Sequence, residues 1–538
     1  MRLDRLSPCY LASLVTTGLL LGAALAQSDR GTLPQPRKDG PKSGKSPAKA
    51  KAAPEIPSLP PSILDDQVKP IDLASALQLA GVSNPEILLA RQRIEEAAAF
   101  QQLAAAQILP SLNAGGNVDA HTGPLQRSTG AIVDVHRGSL YLGLGANAVG
   151  AGTVNIPGIV WSGNVSTILF GRLVALQVVR SREFASVAVR NEVLLRVSRA
   201  YLELLRAQGR LALALQIQRE ARNLARVTAN FAQAGQGRRA DAERAATELE
   251  FRNADVVQAE GEILIASARL CQLLDLDPSI RLHVIDGHVV PAPIVPDPIP
   301  LPELLTIALT QRPELAERRE LIRAALLELR GAKLLPFSPN VVLGYSAGDF
   351  GGGSDLVARG IVQADGTVLR QSRFGNYAGR QDFDAVVYWT LRNLGVGNLA
   401  QIRLARSNVR SEELRQLEVL DRVRAEVASA YAATHARYAQ IDTGERAIRS
   451  GNDAFREDLE RTRNNEGLPI EVLDSFRLLA RSRYAYLDAI IDYNRAQFEL
   501  YVALGQPPAG CLARPVTPII THVPPTATIH SPRPVSPK

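Results

Sequence analysis

The chain has 538 residues, 46% of them hydrophobic and 21% charged, which excludes both wholesale disorder and a small disulfide-held domain. Its net charge of +7 sits at the ends: residues 1–26 carry +1, 27–69 carry +3 and 506–538 carry +3, leaving residues 70–505 neutral. A neutral body with basic ends lacks the clustered Lys and Arg that a phosphate backbone requires, so nucleic acid is excluded as a partner.

The first element is a charged start (Arg2, Arg5), an apolar run from Leu11 to Leu25 and the small-residue triplet Ala24-Leu25-Ala26. This pattern predicts a secretory signal peptide over residues 1–26, cleaved after Ala26, and so an exported chain. Cys9 precedes the apolar run and cannot be the acylated cysteine of a lipoprotein signal. Cys271 and Cys511 remain, one in a helical pattern and one in a proline-rich tail, and they form no disulfide framework. Residues 27–69, rich in Pro and Lys, read as a flexible linker, and residues 506–538 as a disordered proline-rich tail.

Between these ends lies a duplication. Leu77-x-x-Ala80-x-x-x-Asn84-Pro85-Glu86-Ile87 matches Leu305-x-x-Ala308-x-x-x-Arg312-Pro313-Glu314-Leu315 at an offset of 228, and the two tryptophans, Trp161 and Trp389, stand at the same offset. Leu109-Pro110 matches Leu335-Pro336, and Leu270-x-x-x-Leu274 matches Leu500-x-x-x-Leu504. Matches at the start, middle and end define a first repeat over residues 70–280 and a second over 301–505, joined by a linker over 281–300.

Each repeat has one internal order. A helical pattern opens it, over residues 71–109 and 301–335. A glycine-rich segment follows, over 111–170 and 337–396; these two windows hold more than half of the 40 glycines, and their alternation (Ser139 to Leu144, Asp382 to Trp389) predicts one hairpin per repeat with two unlike faces. Next come proline-free helical stretches from about Gly171 to Gly235 and Gly397 to Gly467, rods of roughly 100 Å at ~1.5 Å per residue. A glycine turn and a returning helix close each repeat at Leu274 or Leu504. Rods this long are stabilised by packing on neighbours in the coiled-coil manner. Two hairpins supply four strands, too few to close a barrel, whereas three copies of the chain supply twelve, and closure is the way a sheet pairs every backbone group within a bilayer.

The chain resembles the TolC-like outer membrane factor family, the exit ducts of tripartite efflux pumps and type I secretion systems. The resemblance is carried by the duplicated Asn84-Pro85-Glu86 and Arg312-Pro313-Glu314, the Leu-Pro steps into strand, the stretch Glu466-Gly467-Leu468-Pro469-Ile470-Glu471-Val472-Leu473-Asp474 and the ending Ala503-Leu504-Gly505. It covers residues 70–505. It implies an α+β membrane protein: a homotrimer whose twelve-stranded outer membrane β-barrel continues as a periplasmic α-helical tunnel. It also implies a periplasmic adaptor (membrane fusion protein), an inner-membrane transporter and outer membrane lipid as partners. The first turn, Gly235-Gln236-Gly237-Arg238-Arg239, departs from the family's more apolar pattern.

Glu471 and Asp474 lie three residues apart past the second turn, on one helix face, so three copies would ring an axis with six carboxylates. Such a ring raises carboxyl pKa values and selects cations, and the matching family positions include aspartates of the closed periplasmic entrance. The competing reading is ordinary acids at a helix N-terminus. Asp241 is the comparable acid of the first turn, and Arg463 stands one turn before the second bend, either as an ion-pair partner that ties a closed state or as a solvated tunnel residue. Gly235, Gly237, Gly467, Leu468 and Pro469 are the candidate adaptor-contact tips, with Val472 and Leu473 either exposed beside them or part of a coiled-coil core.

Other chemistry is faint. Gly344-Tyr345-Ser346-Ala347-Gly348 fits a nucleophile elbow in letters, but Gly351-Gly352-Gly353 follows in place of a helix. Gly143-x-Gly145-x-x-Ala148 lacks the surrounding parallel-sheet unit of a dinucleotide site. Seven scattered histidines make no ligand cluster, so no metal, cofactor or enzymatic activity is expected. The rival to a channel is a periplasmic coiled-coil scaffold or adaptor, for which the strand segments have no use.

Overall fold

The computed structural model describes residues 68–148, 152–286, 289–296, 299–354, 361–362, 364–366, 368–369, 377–464 and 466–508. The signal peptide expected over 1–26, the linker up to residue 67 and the tail from residue 509 lie outside the described residues.

Each repeat begins with two helices broken at a proline: α1 (Leu73–Ser83) and α2 (Pro85–Ala106), then α5 (Leu301–Gln311) and α6 (Pro313–Leu334). The residue before proline is barred from helical geometry, so Asn84 and Arg312 both take extended backbone, at ψ 124° and 121°. Both then do one job with different chemistry. Asn84 Nδ2 donates to the carbonyl of Leu273 at 2.8 Å, and Arg312 Nη1 to that of Val502 at 3.3 Å. Each donates to a carbonyl in the last turn of the closing helix of its own repeat, and the Val502 carbonyl also accepts from Gly505 N at 2.8 Å.

The long helices are α3 (Val165–Gln233, 69 residues) and α7 (Val396–Arg463, 68 residues), returning as α4 (Arg239–Leu274) and α8 (Pro469–Ala503). Helix α3 starts six residues ahead of Gly171, because the Asn164 side chain accepts from Thr167 N at 3.2 Å and fixes the N-terminus there. Helix α8 is the most enclosed, packed on α7 and on α3 of the other repeat, with Ile490, Ile491, Tyr493 and Leu500 buried. Its junction with α3 carries a ladder of ion pairs: Arg199–Glu499 (2.8 Å), Glu203–Arg495 (2.9 Å), Arg206–Asp492 and Arg210–Asp488 (2.9 Å). The α3 members recur at three- and four-residue steps on one face, as antiparallel helices require.

Exposed rungs contribute ~0–1 kcal/mol each, and burial decides which rung matters. Arg206 is the enclosed one, its side chain 17% exposed against 44% for Arg199, and it also lies near Glu203 and Asp488. Arg206→Ala is expected to remove ~1–2 kcal/mol and lower the melting temperature of the detergent-extracted protein, with Arg199→Ala changing it by less than half as much. Equal shifts in the two variants would contradict this ranking.

The strands form one sheet shared by the two repeats. The hairpin β3 (Ala114–Gln126) and β4 (Ile132–Ala148) pairs antiparallel, with a bulge where Ala114 faces both Leu144 and Gly145. Strand β8 (Asn340–Ser354) lies against β4 over Arg137↔Ser354 to Leu144↔Ala347, and on its other edge pairs with β11 (Tyr377–Tyr388). The first hairpin is less simple than expected. After β4 the chain returns as β5 (Val154–Pro157) and then β6 (Ile159–Asn164), which takes over the edge of β8 from Tyr345 to Asn340, with β2 (Ser111–Leu112) on its far side. A short ribbon, β9 (Ile361–Val362) with β10 (Val368–Leu369), lies between β8 and β11 in sequence. Separately, β1 (Val68–Ile71) pairs in parallel with β7 (Arg281–Val284), at the margins of the stretches read as linkers.

Within one chain the sheet is open. Its order, β3–β4–β8–β11, leaves the outer edges of β3 and β11 without a partner strand among the described residues. Its faces are unlike. Val118, Leu140, Leu142, Leu144, Leu343, Phe383 and Val387 share one face by register, with Val118, Leu142 and Phe383 largely exposed. Asn117, Asp119, Ser139, Arg380, Asp382 and Asp384 share the other. Toward the β3–β4 turn the apolar face becomes polar, at His136 and Asp134. Trp161 and Trp389 mark the opposite border, each donating its indole N–H to a backbone carbonyl, Gln107 O at 3.1 Å and Phe337 O at 3.2 Å.

Candidate functional site

The two helical turns are the same structure at an offset of 230 residues. In the first, the amides of Gln236 and Gly237 both donate to Phe231 O at 3.0 Å; in the second, those of Glu466 and Gly467 donate to Arg461 O at 2.8 and 3.2 Å. The chain folds back so tightly that a Cβ on Gly237 would stand 3.2 Å from that of Phe231, and one on Gly467 would stand 3.1 Å from that of Arg461. Gly235, at φ 72°, supplies the left-handed step of the first turn. Pro469 occupies the first turn of α8, where its missing N–H is no loss.

The turns lie side by side. Leu224, Asp241, Arg244 and Ala245 from the first repeat line a shallow cleft with Pro469, Ile470 and Leu473 from the second. Beneath it Ile217, Ala221, Leu224, Val472, Leu473 and Phe476 form one core. That resolves the alternatives for the apolar residues after the second turn. Val472 and Leu473 are buried, and only Leu468 projects to solvent.

The two candidate gate acids are each engaged locally. Glu471 reaches back so that its Oε2 accepts from Leu468 N at 3.3 Å, which makes it the cap of α8. Asp474 is exposed and stands 3.9 Å from Arg477 on the same helix. Arg463 is exposed, and among the described residues it forms no ion pair with either acid. The first turn has Asp241 at the position of Glu471, held by Arg244 at 3.0 Å, and Arg244 itself stands where the second repeat has Asp474. The second turn is therefore the acidic one, and the first is its basic counterpart through Arg238, Arg239 and Arg244.

One charged centre near the turns is absent from the expected set. Glu248 of α4 is buried, with Oε1 accepting from Arg252 at 2.6 and 3.0 Å and Oε2 accepting from Arg477 of α8 at 2.9 Å. Burial pushes its carboxyl pKa up, but the hydrogen bonds from Arg477 and Arg252 outweigh that and hold it below the ordinary glutamate value. The available signal was positional: Glu248 falls on the stripe Ala245, Val256 and Ala259 that α4 buries.

The motifs suggestive of enzymes lie within antiparallel strands. Ser346 is buried in β8 with its Oγ accepting from Gly158 N at 3.2 Å, and Gly143 and Gly145 belong to β4. Among the described residues there is no group of His, Cys, Asp and Glu that could hold a metal ion. No described helix is long and apolar enough to cross a membrane.

No family model matches the sequence, and no curated protein matches it. Solved structures do match. The fold superposes on the outer membrane protein VceC of Vibrio cholerae with a TM-score of 0.63 at 16% identity, covering 81% of this chain and 96% of that one. It superposes on CusC, described for transmembrane channel formation, with a TM-score of 0.63 at 20% identity, covering 81% and 93%. It superposes on the open state of the MtrE outer membrane channel of Neisseria gonorrhoeae with a TM-score of 0.59 at 18% identity, covering 81% and 89%. The chain thus has the fold of the outer membrane channels, in agreement with the resemblance of its sequence to the TolC-like factors.

Proposed function

We propose that the chain is one third of a passive outer membrane exit channel, exported by residues 1–26 and assembled as a homotrimer. The observation that carries this reading is the open sheet, four long strands wide at β3–β4–β8–β11 with β2, β5 and β6 beside them, apolar on one face and polar on the other, joined to helices of 69 and 68 residues. An open sheet cannot lie in hydrocarbon with its edge groups unpaired, whereas pairing β11 of one copy with β3 of the next closes twelve strands with the apolar face outward. Helices α3, α4, α7 and α8 then continue as a periplasmic tunnel ending at the paired turns.

Energy comes from an inner-membrane transporter and opening from a periplasmic adaptor, as part of a tripartite efflux pump or a type I secretion system. The adaptor contacts are the turn residues Gly235, Gly237, Gly467, Leu468 and Pro469, of which Gly235 and Leu468 are exposed and the others half-buried. Glu471 and Asp474, tripled about the axis, make the mouth cation-selective, with Arg463 lining the approach.

Single-channel conductance of the purified protein in a planar bilayer tests both parts. The wild type is expected to show small cation-selective currents. Glu471→Gln with Asp474→Asn, which keeps the cap acceptor and removes both charges, is expected to lower the cation preference several-fold and raise conductance. Unchanged selectivity would discard the acidic gate alone. Absence of any pore from a trimeric sample would discard the channel.

A further inference from the structure

The passage from sheet to long helix is built differently in the two repeats. In the first, β6 ends at Asn164 and α3 begins at the next residue. In the second, seven residues separate Tyr388 from Val396, and three in succession are left-handed: Asn393 (φ 50°), Leu394 (φ 56°) and Gly395 (φ 92°). A leucine is a poor occupant of that region, because its Cβ crowds the following carbonyl, so the conformation persists only where its surroundings impose it. They do so here. Buried Asn398 accepts from Arg392 N through Oδ1 at 2.8 Å, and Gly397 leaves space that a Cβ, 2.9 Å from Asn393 Oδ1, would fill.

The outcome of this strain is the presentation of Leu394. It is 92% exposed, the highest value among the large apolar side chains described, and Trp389, Leu391 and Val396 beside it are each more than half exposed. The loop also prolongs a surface. Phe383, Ala385 and Val387 alternate along the apolar face of β11, and Trp389 and Leu391 continue the alternation beyond the strand. A strand added to the free edge of β11 would cover backbone groups and leave this face open. Exposed Arg392 adds a guanidinium at the same level.

We infer that the loop from Trp389 to Gly395 is a lipid anchor: Trp389, Leu391 and Leu394 lie at the boundary between the acyl chains and the headgroups of the periplasmic leaflet, and Arg392 meets headgroup phosphate. The inference rests on the membrane reading above and adds a depth-setting contact that only the second repeat carries.

The chain's two tryptophans make the test direct. In a Trp161→Phe, Trp389→Phe background, Leu394→Trp is reconstituted into phosphatidylcholine vesicles brominated at shallow or deep acyl positions. Leu142→Trp, on the apolar face of the sheet, serves as the control. Both probes are expected to be quenched at least twofold, Leu394→Trp more strongly by the shallow bromines. Blue-shifted but unquenched emission from Leu394→Trp, with the control quenched, would mean that protein covers the loop and would overturn the anchor. Water-like, unquenched emission with a quenched control would overturn it too. If the control is also unquenched, the membrane reading itself falls. In the unaltered background, Leu394→Asp is expected to reduce vesicle insertion several-fold with helicity unchanged; wild-type insertion of that variant would count against the anchor.

Discussion

Replacing Gly348 with valine is expected to abolish assembly of the sheet while leaving the helices formed. Gly348 of β8 faces Gly143 of β4 across the seam where the two repeats meet. A Cβ at Gly348 would stand 2.6 Å from Leu142 O and 2.8 Å from the tip of the Tyr141 ring. Tyr141 is fully buried, its hydroxyl donating to Leu144 O at 2.7 Å, so neither obstacle can withdraw. Overpacking against backbone reaches the upper end of its usual cost, about 3 kcal/mol, and here it falls on the strand pair that unites the sheet. The measurement is the heat-modifiable, folded band of the outer membrane fraction, expected to be lost, beside far-UV circular dichroism, expected to keep its helical signal. Gly379→Val is the control, since the nearest atom to its Cβ is Asp349 Oδ1 at 3.9 Å. A wild-type folded band from Gly348→Val would show that the seam is looser than its geometry states.

That seam marks the limit of what the residues alone disclose. The duplication, the two rods and a hairpin per repeat are local or self-similar features, and periodicity finds them. The pairing of β4 with β8 is set by contact between segments some 200 residues apart, and alternation within either strand is the same whichever neighbour it has. The break after Ala148 and the transfer of the β8 edge to β6 follow from that pairing. Gly171 misled the start of α3 because a glycine inside a helix looks like a boundary; nothing stands within 4 Å of its Cβ position, and the true signal was the Asn164 cap. Near the turns, Glu471 and Asp474 were legible as an acidic pair, but the backward reach of Glu471 to Leu468 N was not. The burial of Val472 and Leu473 depends on α3, which supplies Ile217 and Leu224 opposite them.

Glu248→Gln is expected to destabilise the tip end of the helices by ~2–3 kcal/mol at neutral pH. The carboxylate side chain is 3% exposed and accepts from guanidiniums on two helices, Arg252 within α4 and Arg477 across on α8. Gln keeps the volume but turns an N–H₂ group toward one guanidinium and removes the charge that both were neutralising. The loss stays below the 3–5 kcal/mol typical of fully buried pairs because the Arg477 side chain, 47% exposed, can turn to water. The pH dependence has a definite sign. The native carboxyl pKa lies below its unfolded value of ~4.3, so its contribution is present in full above that value and is lost as pH falls through the native pKa. Protease cleavage at the tips and thermal melting should therefore separate wild type from variant at pH 7 and pH 5, with the gap closing below about pH 4. A gap that persists unchanged in acid would mean that Glu248 acts through packing alone. The same variant frees Arg477, already 3.9 Å from Asp474, to pair more closely with that acid. Its channels should then lose part of the cation preference assigned to Asp474, which links the buried carboxylate between the helices to the charge at the mouth.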